Sequence, residues 1–201
     1  MENVVVSIFD IESEAFQAFS ELKQFGQTEN TKLAQASIVK AENGVVNVKD
    51  SFDLMDSLGD DYFEGGLIGS LIGILGGPLG VLFGFAAGGA IGASVGSDKE
   101  LANSVLITTV SNKLTNGEVA IIALVQENDE SVLNSIFEKY QVHIARWDVA
   151  TVAAEIESAL KIQEDLEHQA KARLIADKKE ARREKFDKLK ASIKEKFSKK
   201  N

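Results

Sequence analysis

Residues 65–97 read GGLIGSLIGILGGPLGVLFGFAAGGAIGASVGS and contain no charged side chain. The stretch holds 12 of the 16 glycines of the chain. Most of these glycines recur in two series with a four-residue step: Gly69, Gly73 and Gly77, then Gly80, Gly84, Gly88, Gly92 and Gly96. A four-residue step keeps small residues on one helical stripe, where two helix backbones can approach closely. We therefore interpret these eight glycines as helix-packing positions.

Gly76, Gly77 and Pro78 separate the two series. Glycine just past one helix and proline at the start of the next are typical of a helix-turn-helix connection. The stretch therefore predicts a Gly-rich helical hairpin at residues 64–97. Two complete bilayer crossings need about 40 residues, so two full spans are not expected. Two alternatives remain: the hairpin packs in a soluble oligomer or against its own domain, or it enters a bilayer shallowly or as one span.

The residues before the hairpin predict a strand, a helix and two paired strands. Residues 3–10, NVVVSIFD, form a β-branched apolar run that is typical of a buried strand. In the following helix the apolar residues at helical spacing are expected to face inward. These residues are Ala15, Phe16, Phe19, Leu22 and Phe25. Residues 33–52 then predict a β-hairpin, because Asn43-Gly44 tolerates the positive φ of a two-residue turn.

The residues after the hairpin predict the order helix, strand, helix, strand. The runs are SDKELANSVLITTVSNKL, EVAIIALVQ as a central strand, DESVLNSIFEKYQ with Asp129 as N-cap, and VHIARWDVA. Helices that alternate with strands, together with a hairpin, favour an α+β sandwich with its helices on one sheet face. We predict a ferredoxin-like βαββ-(helical hairpin)-αβαβ domain at residues 1–150.

Residues 151–201 predict a long charged helix, or two helices in series, since Gly and Pro are absent after residue 151. The final segment has an apolar helical stripe among lysines, which predicts a basic amphipathic helix that docks on an anionic membrane surface or in a partner groove. A solvated or self-docking helix is the alternative. The proposed surface residues are Phe186, Leu189, Ile193 and Phe197 with Lys185, Lys190 and Lys194.

The charges of the chain are distributed unevenly. Residues 171–201 carry 13 Lys or Arg and 5 Asp or Glu, a net charge of +8, so the total of −9 leaves −17 on residues 1–170. An acidic body repels polyphosphate, and nucleic acid is therefore not an expected partner. The absence of cysteine and of a basic, apolar leader favours a cytoplasmic location, at the inner face of the cell membrane if the tail binds there.

No arrangement of residues predicts catalysis, a metal or a cofactor. The glycine stretch lacks the lysine of a phosphate-binding loop, and a dinucleotide fingerprint is missing. His143 and Trp147 share one side of their predicted strand and would line a ligand pocket together, although packing is the commoner role of a single tryptophan. Asp60, Asp61 and Glu64 would bind a divalent cation only weakly. The sequence therefore predicts a protein that is not an enzyme.

The strand, helix and hairpin of the first half, the block GGLIGSLIGILGGPLGVLFGFAAGGAIGA, the following helix and the strand in NGEVAIIALVQ resemble the bacterial DUF1269 family over residues 3–150. The segment from Gly76 to Gly80 carries the most specific part of this resemblance. The family is described as predicted membrane proteins of unknown function. The resemblance therefore implies a ferredoxin-like body with a glycine-zipper hairpin and no established activity, and the basic tail departs from it.

Taken together, these patterns predict a membrane-associated or self-assembling protein that forms a homo-oligomer and has an anionic membrane as a second partner. A glycine-zipper hairpin would supply oligomer packing or bilayer insertion. The alternative is a soluble stress-type binding module for a small apolar ligand or a protein partner.

Overall fold

The computed structural model describes residues 1–25, 28–43, 45–54, 66–80, 105–114 and 116–198. The strands are β1 (Glu2–Phe9), β2 (Thr31–Glu42), β3 (Val45–Asp53), β4 (Val119–Glu127) and β5 (Val142–Asp148). The helices are α1 (Glu12–Lys23), α2 (Leu67–Gly76), the short α3 (Pro78–Gly80), α4 (Val105–Lys113), α5 (Glu130–Phe137) and α6 (Val149–Ser198). The chain is therefore a mixed α+β protein with a long C-terminal helix, as the sequence predicts.

The five strands form one antiparallel sheet in the order β3-β2-β4-β1-β5. Strand β4 lies in the middle, which confirms the central position predicted from its continuous apolar run. Strands β2 and β3 are joined by the predicted turn, and Asn43 there has a φ of 55°. Asparagine is one of the few residues that tolerate this left-handed conformation. The β-hairpin prediction is confirmed.

One face of the sheet, which we call the front face, packs against α1 and α5. The core here combines strand residues such as Val5, Ile38 and Ile121 with Phe19 of α1 and Phe137 of α5. Asp129 caps α5 as predicted, since its carboxylate accepts a hydrogen bond from the N–H of Ser131 at 2.9 Å. The predicted inward position of Phe16 is wrong, because this side chain is 38% exposed while Ala18 takes the buried position on α1.

The opposite face, the back face, is buried as well. The alternate residues Val4, Val6, Ala120 and Ile122 point away from the front-face core, and all are at most 1% exposed. Helix α2 contacts β2, β3 and β4. Helix α4 lies over the back face of β1 and β5. The expectation that helices cover only one face is therefore wrong.

The sequence already contains the signal for this second layer. Strands buried on one face alternate between apolar and polar residues, whereas NVVVSIF and VAIIALV are almost continuously apolar. Burial of both faces requires a second set of apolar helices, and the glycine-rich stretch supplies one of them. The sheet thus positions one helical layer on each face.

Helix α6 begins directly after β5 and runs without a break, which confirms the single long helix among the predicted alternatives. The contacts of the chain divide it into two units, Met1–Leu160 and Lys161–Asn201. The division lies ten residues beyond the expected limit at residue 150 because the first turns of α6 belong to the body. Their buried residues are Val152, Glu155, Ile156 and Ala159.

Candidate functional site

Helix α2 forms from the first half of the glycine-rich stretch and buries one side in the body. Its buried residues are Ile68, Leu71, Ile72, Ile74 and Leu75. Glycine at the last helical position, Gly76, lets the helix end approach β3, because a Cβ there would lie 2.8 Å from the carbonyl oxygen of Val46. Gly80 is buried, and a Cβ there would overlap the carbonyl oxygen of Leu75. These two glycines are required by contacts within the chain.

Gly73 has the opposite environment. It is exposed, and a Cβ built on it meets no atom of the described residues within 4 Å. Gly69, one turn earlier, is half-buried. The four-residue step therefore places Gly69 and Gly73 along one face of α2. This face is open at Gly73, and we call the exposed surface at Gly73 the open glycine face. Gly77 is half-buried in the connection to α3, and Gly84, Gly88, Gly92 and Gly96 lie outside the described residues.

Within the described part of the chain, none of the helices combines the length and the apolar character that a membrane span requires. Helix α2, an apolar helix, has 10 residues. This is about half of what a single crossing needs.

A cleft lies between α4 and the back face of the β5 edge, with a volume of about 80 Å³. Strand alternation places His143, Ala145 and Trp147 on this face, and their partners in β1 include Ile8 and Val6. Thr109 and Lys113 of α4 are one helical turn apart and line the other side. The structure therefore brings His143 and Trp147 to one cleft, as their shared side of the strand predicts, and adds two α4 residues that sequence reasoning missed.

Helix α4 is held over the sheet by a buried carboxylate from α6. Glu155 is 6% exposed, and its Oε2 accepts hydrogen bonds from the N–H groups of Leu106 at 3.0 Å and of Ile107 at 3.3 Å. A carboxylate bound to the first N–H groups of a helix is stabilised by hydrogen bonding and by the helix dipole. Glu155 thereby fixes the part of α4 that carries the cleft residues Thr109 and Lys113.

A second buried charge, Glu127, lies at the end of β4. Its side chain is 1% exposed, and Oε1 accepts hydrogen bonds from Arg146 Nε at 2.8 Å and from Asn3 Nδ2 at 3.1 Å. Arg146 also donates from Nη2 to Oδ1 of Asn134 at 2.6 Å. This network ties β4, β1, β5 and α5 together. This network was not predicted from the sequence. Its indications in the sequence are Glu127 at the end of one apolar strand and Arg146 within another.

A smaller polar group links α1 to the end of α5. Glu21 accepts hydrogen bonds from Lys139 Nζ and from the Tyr140 hydroxyl, each at 2.6 Å. These bonds hold the pKa of Glu21 below its ordinary value, the Lys139 bond being the larger cause. Burial, and then the bond to Glu21, raise the pKa of Tyr140 to about 12. The tyrosine is therefore protonated at physiological pH and acts as a structural hydrogen-bond donor.

The second unit, taken by itself, is the continuation of α6 from Lys161. Its described side chains are mostly exposed, including Leu174 and Ile175 at 59% and 68%. Glu164 and Glu167 each lie four residues before a basic partner, at His168 and Lys171. The Lys171 pair has the i,i+4 spacing at which opposite charges support a solvated helix. The predicted surface residues Phe186, Leu189, Ile193, Phe197, Lys185, Lys190 and Lys194 lie in this helix, and their side chains fall outside the described part.

The described residues contain no group of three or more His, Cys, Asp or Glu side chains that would hold a metal ion. Asp60, Asp61 and Glu64 lie outside them.

The fold and its sites define an α+β protein built on a five-stranded antiparallel sheet with a long C-terminal helix. The chain belongs to the DUF1269 family, a family of proteins of unknown function, whose sequence model matches residues 63–167. The match begins after β3, later than the expected start at residue 3, and it ends within α6, beyond the expected end at 150. Neither a search of curated proteins nor a search of solved structures found a match.

Proposed function

We propose that this protein is a non-enzymatic self-assembling protein that associates through the open glycine face of α2 and binds an anionic membrane through the basic end of α6. The observation that carries the first part is Gly73, which is exposed and has no neighbour within 4 Å of its Cβ position in the part of the chain that the structure describes. A glycine costs about 0.5–1 kcal/mol in a helix relative to alanine. Contact of this face with a second copy of the chain would offset that cost.

The packing of α2 favours oligomer packing over bilayer insertion of this helix. Five of its residues are already buried in the body, Ile68, Leu71 and Leu75 completely. Insertion of α2 into lipid would first have to separate these side chains from the sheet, at about 1.5–3 kcal/mol for each one exposed. A face-to-face contact at Gly73 leaves them in place.

We also infer that β5-β1-β4-β2 form a ferredoxin-like unit with α1 and α5 as its crossover helices. Helix α1 connects β1 to β2, and β4 lies between these two strands in the sheet. Helix α5 connects β4 to β5, and β1 lies between them. Strand β3 and helices α2 to α4 are then additions between β2 and β4. In this description the glycine-rich helical segment is an insertion that packs on the back face of a ferredoxin-like sheet.

Replacing Gly73 with leucine is expected to weaken self-association by about tenfold or more, because the side chain holds the two backbones apart. The fold should be unaffected, since the position is open. Sedimentation velocity over a range of concentrations measures the dissociation constant, and circular dichroism checks the helix content. The matched control is Gln17→Leu, which puts the same side chain on an exposed position of α1. Equal dissociation constants for the wild type and both variants would contradict the association surface.

The basic end of α6 is expected to bind the full-length protein to anionic vesicles and not to neutral ones. Seven lysines lie between residues 185 and 200, and each contributes about 1 kcal/mol near an anionic surface at low salt. Repulsion of the −17 body opposes this attraction, so the bound fraction should fall as ionic strength rises. Vesicle co-sedimentation at several salt concentrations measures it.

The double variant Phe186→Ser and Phe197→Ser should lose stable vesicle binding while retaining the folded body. Phe16→Ser serves as the control, because it removes an exposed aromatic ring from α1 instead of from the tail. Binding that is equal for neutral and anionic vesicles, or that survives the loss of both tail phenylalanines, would refute the membrane-surface proposal.

A second candidate function is a soluble module that binds a small ligand. The cleft between α4 and β5 favours it, because two residue types that commonly contact ligands, His143 and Trp147, line one cavity there.

A further inference from the structure

We propose that the cleft between α4 and β5 is a binding site for a small carboxylate with a short aliphatic chain, of the size of propionate. This inference is independent of self-assembly, since the cleft and the open glycine face involve different helices. Three properties of the cleft carry it: its hydrogen-bonding groups, its size and its apolar wall.

The polar side chains that line the cleft are all able to donate hydrogen bonds. They belong to Lys113, Thr109, His143 and Trp147, which carry an ammonium, a hydroxyl, an imidazole and an indole N–H. None of the described residues that line the cleft is acidic. Lys113 has no carboxylate partner within salt-bridge distance in the part of the chain that the structure describes. A cation without a counter-ion, beside three further donors, favours an anion.

The volume of about 80 Å³ limits the ligand. Clefts that hold drug-sized ligands have volumes of about 300–1,000 Å³, so this cleft is several times smaller. A ligand of a few non-hydrogen atoms fits this space, whereas a nucleotide or a long acyl chain does not.

The remaining wall of the cleft is apolar. Val6 and Ile8 of β1, Val110 of α4 and Ala145 of β5 line it together with the ring of Trp147. An inorganic anion such as phosphate gains little from this wall and loses hydration against it. A short aliphatic carboxylate places its charged end near Lys113 and its methyl or methylene groups on the wall, and it is therefore the favoured class.

Trp147 is the single tryptophan of the chain, and both its fluorescence and its indole N–H resonance therefore report on this cleft alone. Titration of the full-length, ¹⁵N-labelled protein with sodium propionate at constant ionic strength should shift the indole resonance saturably in the millimolar range. Propionamide, which has the same shape without the charge, should produce at least a fivefold weaker apparent affinity, and inorganic phosphate should also bind more weakly.

Lys113→Gln should weaken propionate binding about tenfold, because it removes the charge from an exposed position and leaves the fold intact. Thr109→Val, which removes one donor at constant shape, should have a smaller effect in the same direction. Lys139→Gln removes a lysine from the front-face side of the molecule and should leave binding unchanged. The proposal is overturned if the indole resonance does not shift saturably, if propionamide binds as well as propionate, or if Lys113→Gln and Lys139→Gln behave alike.

Discussion

Replacing Arg146 with alanine is expected to lower the free energy of unfolding by about 3–5 kcal/mol, because it leaves the buried carboxylate of Glu127 without its cation. The Glu127 side chain is 1% exposed and that of Arg146 14%, so water replaces the lost charge poorly. Glu127 Oε2 has no hydrogen-bond partner among the described residues, and Asn3 alone would then remain on Oε1. Urea denaturation monitored by circular dichroism measures the loss.

The double variant Arg146→Met and Glu127→Leu separates the unpaired charge from simple loss of contacts. Replacement of a buried ion pair by apolar residues of similar volume is often nearly neutral, so the double variant should regain most of the stability. Lys139→Ala breaks the exposed pair with Glu21 and should cost much less stability than Arg146→Ala. Equal losses of stability for the two variants would contradict the proposed importance of the Glu127 network for the fold.

The second large effect is expected at Gly76 of α2 and Gly80 of α3. Alanine at Gly76 would place Cβ 2.8 Å from the carbonyl oxygen of Val46, and alanine at Gly80 would overlap that of Leu75. Both neighbours are backbone atoms, which move only if a helix end or a strand moves. Overpacking of this kind costs about 1–3 kcal/mol and occasionally more, and Gly80→Ala should lie at the upper end because the residue is buried.

Gly73→Ala is the matched control, since it makes the same change in α2, as at Gly76, with no described neighbour within 4 Å. It should leave stability unchanged or raise it by about 0.5–1 kcal/mol through helix propensity. Thermal unfolding of the three variants at equal, low protein concentration gives the comparison. A ranking in which Gly73→Ala is as destabilising as Gly76→Ala would contradict the assignment of Gly76 to the sheet contact and Gly73 to the open face.

The order of elements was accessible from the sequence because it depends on interactions between residues close in the chain. The turn at Asn43 follows from the left-handed conformation that asparagine tolerates. The start of α5 follows from Asp129, whose carboxylate caps an N–H two residues later. The central strand β4 follows from its apolar composition, and the uninterrupted α6 follows from the lack of Gly and Pro after residue 151.

The candidate sites were only partly accessible. The shared side of His143 and Trp147 follows from strand alternation, but the cleft needs α4, which precedes β5 by some thirty residues and reaches it only by crossing the back face. The four-residue step of glycines was visible, but their roles were not. Gly73 and Gly76 are the same residue type and lie three residues apart. Gly73 has no described neighbour within 4 Å of its Cβ position, whereas Gly76 faces a strand backbone.

Local interactions therefore determined which segments form helices and strands, and the sequence by itself was sufficient for them. The tertiary structure alone decided which helices cover each sheet face, that Arg146 compensates Glu127, and that Glu155 caps α4 from a residue 49 positions away. The physical reason is that burial and ion pairing depend on which surfaces meet in space. Residue spacing determines the direction of a side chain on its own helix or strand. Which other element packs there depends on the apolar surfaces and the charges that both elements leave exposed.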